Sequence, residues 1–367
     1  MGSVAFSLTF GPAPAPAEIV DAVQEIEVDA STDMASVFRL RLGIARTALG
    51  DWTVLQEDVF RPLLPLGIRI SNELGIPEAL INGYVSAQHV VYSEEPGGSV
   101  LEVSGMDATM LMNLQEKVQP WPNMPDGAIA AAIFGQYAIV PRTQPTSPQL
   151  VEPQGTTTQR GTDIRFLRRL AARNGFECYV QPEPLTGLDT GYFQPPQLMG
   201  LPQAVFNVNL GPETNVAEFR VRYEMTAPTG AITAGIDVST KAIQPGIAPA
   251  AIETPLGIEP SLLRVLPPPV VRPAGTGLMN AGELQPLAQA VANRSSFAVV
   301  AEGTADRQVG ILRPGGLVNI RGAGRVFNGS YYLTRVSHTI TRDSHTQRFQ
   351  ARRNAVTMTG AEVFVEV

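Results

Sequence analysis

GTDIRFLRRLAARNGFECYV, residues 161–180, reads as a helix, a stop and a strand in immediate succession. Thr162 or Asp163 can offer a side-chain oxygen to the free amides of a first helical turn, and Asn174 followed by Gly175 supplies a left-handed stop. At roughly 100° per residue, Ile164, Phe166, Leu167, Leu170 and Ala171 share one side, while Arg165, Arg168, Arg169 and Arg173 gather on the other. The pattern predicts a packed helix with a guanidinium face. Beyond the stop, Phe176, Cys178 and Val180 alternate with Glu177 and Tyr179, the period of a half-buried strand. On both sides of this unit the chain reads mostly as strands. The expected class is therefore mainly β with inserted helices, an α+β chain.

With 367 residues the chain exceeds one small core, and two or three domains are expected. A hydrophobic content of 44% with 17% charged residues describes a globular chain. No uninterrupted apolar run reaches the roughly 18 residues of a membrane helix, so no membrane insertion is expected. The opening MGSVAFSLTF lacks a basic region and a signal-peptide core, which argues against Sec export. A single cysteine, Cys178, excludes an intramolecular disulfide and a cysteine-based zinc site, and its strand setting predicts a buried thiol. The net charge of -7 argues against general nucleic-acid recognition, which needs a basic surface.

Taken in order, residues 3–10 form a strand that runs into GPAPAPAE, and residues 23–28 form a second. VFRLRLGI, residues 37–44, then sets Phe38, Leu40, Leu42 and Ile44 against Val37, Arg39, Arg41 and Gly43, a strand with one apolar side. Residues 66–105 read as antiparallel strands around a Glu-Glu-Pro-Gly-Gly turn, and Asp107 and Asp126 each precede a short helix. The stretch 244–286 carries PGIAPA, VLPPPVVRP and AGTGLMNAG and is expected to be an extended linker or surface loop, followed by a short helix over 287–293. Strands resume to the end, with two alternating runs joined near residues 343–345. The expected division is 1–108, a helix-containing region at 109–204, and 205–367.

A short internal likeness links the two β regions. IRIS (68–71) corresponds to VNIR (318–321), and Asn82-Gly83 to Asn328-Gly329. Val85, Ser86 and His89 then match Val336, Ser337 and His338. Two readings stand at this point: convergent hairpins, or a β-barrel duplicated within one chain.

Chemistry-bearing residues are sparse. His89, His338 and His345 lie in strand or turn patterns, no GxSxG elbow surrounds a serine, and the acid pairs Glu57-Asp58 and Glu94-Glu95 sit in turns. The glycine runs form neither a dinucleotide fingerprint nor a phosphate loop. No catalytic, metal or cofactor site is expected. The residues singled out as possible subunit or partner contacts are Arg165, Arg168, Arg169 and Arg173 on the helix and Arg348, Arg352 and Arg353 on a terminal strand.

The helix GTDIRFLRRLAARNGFECYV, the INGYV strand and the closing YYLTRVSHTITRD and SHTQRFQARRN together resemble phage late control D proteins. These are baseplate hubs of contractile tails, related to the T-even phage hub, to the N-terminal part of type VI valine-glycine repeat proteins and to extracellular contractile injection systems. The resemblance implies two related tube-like β-barrel domains plus a smaller helix-containing region. It implies a homotrimer that adapts a sixfold inner tube to a threefold spike. Implied partners are an inner tube or tube-initiator protein, a separate central spike protein, since the sequence stops at Val367 without a spike segment, and neighbouring baseplate proteins. Such a protein is assembled in the bacterial cytoplasm into a phage tail or an injection particle. A tail-borne cell-wall hydrolase and a carbohydrate-binding β module are the other classes weighed.

Overall fold

The computed structural model describes residues 4–55, 59–146, 150–152, 155–236, 241–265, 267–272, 281–305 and 309–364. Strand periodicity builds its frame. In the strand Val37–Gly43, Phe38, Leu40 and Leu42 are buried while Val37, Arg39 and Arg41 are exposed. The chain is mainly β, with helices inserted between strands, as its sequence pattern predicts.

Ten strands form two sets. The first set comprises β1 (Val23–Ser31), β2 (Val37–Gly43), β3 (Pro65–Ser71), β4 (Pro77–Val91) and β5 (Val100–Asp107). A separate strand, β6 (Glu177–Pro182), belongs to the helical region. The second set comprises β7 (Val216–Tyr223), β8 (Val299–Ala305), β9 (Leu317–Arg321), β10 (Gly329–Ile340) and β11 (His345–Arg353). Hydrogen bonding orders the first set β1-β2-β5-β4-β3 and the second β7-β8-β11-β10-β9, antiparallel throughout.

The two sets share irregularities as well as order. An extra residue, Gln24 in β1 and Ala217 in β7, interrupts the ladder to the next strand at the same place. Ser86 in β4 and Thr334 in β10 do the same on the long strand. A bulge inserts one residue and re-aims the strand, so two bulges at matching positions are a specific signature. These positions correct the alignment read from the sequence. Ser86 matches Thr334, so His89 corresponds to Ser337 and not to His338. A one-residue slip exchanges the faces of a strand, and accordingly His89 is exposed while His338 is buried.

One ladder joins the sets. Residues 335–340 of β10 pair with residues 26–31 of β1, merging everything into a 13-stranded sheet. The first set closes over Ile26, Phe38, Leu40, Ile68, Ile81 and Leu101, with Ile340 reaching in from β10. The second closes over Phe206, Val299, Val318, Tyr331, Val336 and Phe349.

A third core belongs to helices α1 (Asp126–Gln136) and α2 (Asp163–Asn174), which bury Ile129, Ile133, Phe134, Phe166, Leu167 and Leu170 together with Cys178. Gly175 stops α2 in the left-handed conformation at φ 71, as expected of Asn-Gly. Its start differs from the expectation. Thr162 gives its hydroxyl to Asn113 Oδ1 (2.9 Å), and Asp163 accepts from Lys117 Nζ (2.5 Å), Tyr137 Oη (2.6 Å) and Gln159 Nε2 (2.6 Å), so neither side chain caps. Both instead tie the helix to its neighbours. β6 also departs from the half-buried reading: Glu177 and Tyr179 are buried like Cys178 and Val180, because they face β10 and β11.

The Pro-rich stretch 244–286 is not a plain linker. Ile243–Ala248 pairs with Gly230–Ile236, Val270–Val271 adds to that sheet, and Glu259–Pro260 pairs with Ala355–Val356. Pro245 lies on an edge strand, where a missing amide costs no ladder bond. The following helix, α3 (Ala281–Ser296), is longer than the expected 287–293 and contains Pro286. Residues 266 and 273–280 of the stretch lie outside the described residues, as do Glu57 and Asp58.

Close approach makes one glycine a sensitive test of this packing. A Cβ on Gly105 would meet both the Phe38 ring and the Tyr84 carbonyl at 2.3 Å. Gly105→Ala is expected to cost about 1–3 kcal/mol by overpacking, read as a lower urea midpoint at unchanged slope.

Candidate assembly interface

Alternate positions of the joined sheet that do not enter a core form one polar face. Its registers set opposite charges side by side. Glu27 faces Arg39 with a 3.1 Å ion pair, and Arg41 lies between Glu25 and Glu102. Glu102 in turn lies 3.7 Å from His89, and Arg335 Nε donates to Asp29 across the joining ladder at 2.7 Å. Each exposed pair is worth little by itself. Together they leave a wide face of balanced charge. At its second-set end Glu218, Arg220, Glu302, Arg335 and Arg348 line an open depression of about 460 Å³.

The arginines singled out from sequence are distributed unequally. Arg348 is exposed on this face. Arg352 occupies the same side of β11 but turns to Glu177 Oε1 (2.6 Å) and stacks over Phe297 at 4.5 Å. Arg353 follows directly, so strand alternation sends it inward. It is fully buried and donates to the carbonyls of Leu256 (2.7 Å), Asn328 (2.8 Å) and Thr357 (3.1 Å). Its expected contact role is corrected: its guanidinium is consumed inside its own chain. On α2, Arg165 and Arg169 are exposed, Arg169 donating to the Arg160 carbonyl. Arg173 binds the buried Asp126 and reaches Glu283, and Arg168 is half-buried with Nε and Nη2 lacking a hydrogen-bond partner. The helix face is thus only half available to solvent.

Strand periodicity gives no sign of Glu177, which lies at the crossing of four elements. It accepts from Thr32 Oγ1 (3.1 Å) just past β1, from Tyr332 Oη on β10 and from Arg352 on β11. Burial outweighs these partners and raises its carboxyl above the ordinary range. Alternation alone places Glu177 on a solvent face, and only its neighbours show otherwise. Glu253, from the Pro-rich stretch, enters the same junction. Burial pushes its carboxyl up to about 7, with Arg352 lowering it, Glu177 raising it and a bond from Asn293 lowering it.

His338 and His345 do meet, Nδ1 to Nε2 at 3.0 Å, inside the β10–β11 hairpin. Burial, His345 and Arg313 hold His338 well below the usual imidazole range, which keeps it neutral. Among the described residues no group of three or more His, Cys, Asp or Glu side chains could hold a metal. Among them, too, no helix is long and apolar enough to cross a membrane.

Residues 13–342 match the family described as the Alg8 N-terminal domain. The chain belongs to the Alg8 N-terminal domain family. The matching model is thus not that of the late control D family. No curated protein matches the sequence. The fold is shared with known structures at low sequence identity. A tail protein from Neisseria meningitidis MC58 aligns with a TM-score of 0.67 at 12% identity, covering 99% of this chain and 100% of that one. The 43 kDa tail protein of prophage MuSo2 from Shewanella oneidensis gives 0.63 at 15% identity over 95% and 98%. The E. coli c3393 protein gives 0.58 at 14% over 94% of this chain and 76% of that one. It is a component of the type VI secretion system described as structurally similar to the T4 bacteriophage tail proteins gp27 and gp5.

Two measurements test these placements. Arg353→Leu strands three carbonyls in the interior and is expected to cost more than about 2 kcal/mol in urea unfolding, whereas Arg348→Leu leaves the midpoint unchanged. For Glu253 the sign follows from its raised carboxyl. Below the ordinary value of 4.5 both folded and unfolded chains are protonated; between there and about 7 the unfolded chain loses its proton first. Stability therefore falls as pH rises through that window. Glu253→Gln is expected to lack this fall, so its thermal midpoint gains on the wild type as pH increases.

Proposed function

We propose that this chain is the central hub of a contractile tail or injection apparatus, a homotrimer that fits a sixfold inner tube to a threefold central spike. The observation that carries the proposal is the repeated five-strand order with its matching bulges. Three copies of a chain with two like units offer six similar surfaces on a threefold axis, which is what a symmetry adaptor needs. The shared fold with tail proteins supplies the setting, and the sequence likeness to late control D hubs supports the same role. In this reading the first unit belongs to residues 1–108, the helical region to 109–204 and the second unit to 205–367.

The role is mechanical, with no catalytic step. Tube or tube-initiator subunits dock on one end of the ring, a separate spike protein on the other, and baseplate proteins around it. The charge-balanced sheet face lines the channel, where neither sign of charge holds a passing macromolecule. Assembly begins in the bacterial cytoplasm and the product travels with a phage tail or injection particle. Mass photometry of the full chain, with averaged electron micrographs, is expected to show three copies in a six-lobed ring. A chain that stays monomeric when tube and spike proteins are added overturns the proposal.

A further inference from the structure

The ladder that joins the two units inside the chain has a counterpart that the single chain leaves open. Residues 335–340 of β10 pair with β11 on one side and with residues 26–31 of β1 on the other. In the other pairing of units, β4 takes the place of β10 and β7 the place of β1. The bulges fix the register: Ser86 with Thr334 maps residues 87–92 onto 335–340, and Gln24 with Ala217 maps residues 219–224 onto 26–31. Among the described residues, 87–91 pair only with β5, and β7 pairs only with β8. Each chain therefore carries one free edge of each kind.

Burial shows the same cut. Within the joined ladder every inward side chain, Ile26, Val28 and Ala30 from β1 and Val336, His338 and Ile340 from β10, is buried. Their counterparts Phe219, Val221 and Tyr223 are only half-buried, as is Val90, while Gln88 is exposed and Tyr92 is 59% exposed. Two apolar strips thus stop at unpaired edges, the kind of edge that proteins cover with another strand.

We infer that residues 87–92 of one copy add antiparallel to residues 219–224 of the next, extending the sheet from chain to chain. This rests on the ring reading above and names the surface that closes it. The register inherited from the internal ladder sets Val90 opposite Val221, Tyr92 opposite Phe219 and His89 opposite Arg222. Arg222 then extends the row Glu25, Arg41, Glu102, His89 by one strand, directly beside His89. A head-to-tail contact of this type closes only as a ring, and closure pairs both of these edges in every copy.

Paired cysteines test the register in the full-length chain, whose native thiol is buried. Under mild oxidation, His89→Cys with Arg222→Cys is expected to convert the monomer band on a non-reducing gel to covalent multimers. His89→Cys with Arg220→Cys is the control, because a diagonal neighbour at ~7–8 Å lies outside disulfide reach. As an independent readout, Val90→Asp with Tyr92→Asp is expected to dissociate the ring seen by mass photometry. Because Val90 also packs on the first core and Tyr92 on Trp52, the variant is scored only with a wild-type circular dichroism spectrum, and the disulfide pair decides the seam without it. A three-copy particle that forms no 89–222 disulfide, or links 89–220 as readily, overturns this seam and leaves the ring standing. A monomer at every concentration overturns both.

Discussion

The structure depends on the ladder between residues 26–31 and 335–340. These segments lie at opposite ends of the chain, and closing so long a loop is an entropic cost that one ladder alone does not offset. Other contacts across the units share the load. Arg313 donates to the Ala79 carbonyl at 2.7 Å and pairs with Glu78 at 3.1 Å, while Arg335 clasps Asp29 beside the ladder. Ile340 places its side chain in the core of the first unit. The two units therefore share a backbone sheet and also a boundary of packed side chains, which sets their relative orientation.

The helical region is fastened to that boundary through buried polar groups. Glu177 gathers Thr32, Tyr332 and Arg352 around one carboxylate. A buried charge held this way contributes less to stability than an apolar cluster of equal volume, but removing one partner is expensive. It therefore fixes one arrangement of β6 against β10 and β11. Asp163 does the same between α2, Lys117 and Tyr137. The bonds made by Thr162 and Asp163 explain why the start of α2 differs from a simple cap, while its stop at Gly175 does not.

On the opposite side, the sheet presents charges of both signs in register. Such a face stays solvated and resists collapse onto apolar surfaces. The apolar strips that remain half-open lie at the sheet's edges. The same alternation that separates face from core thus leaves half-open apolar side chains along the sheet's edges.

The sequence by itself determined the local elements. The period-two run over 37–44, the amphipathic pattern of 163–174, the stop at Gly175 and the cap at Asp107, which holds the Thr109 amide at 2.9 Å, are consequences of neighbours a few residues apart. It also carried a trace of the repeat, because like strands need like side chains. Tertiary structure decided what depends on distant partners. The Pro-rich stretch became strands because Gly230–Ile236 lay ready to pair with it. Arg353 became an interior strut because three carbonyls from separate segments converge on it. The true register of the repeat was hidden because bulges shift alternation without leaving a residue signature. Glu177 looked exposed because periodicity describes one strand, whereas burial is set by everything packed against both of its faces.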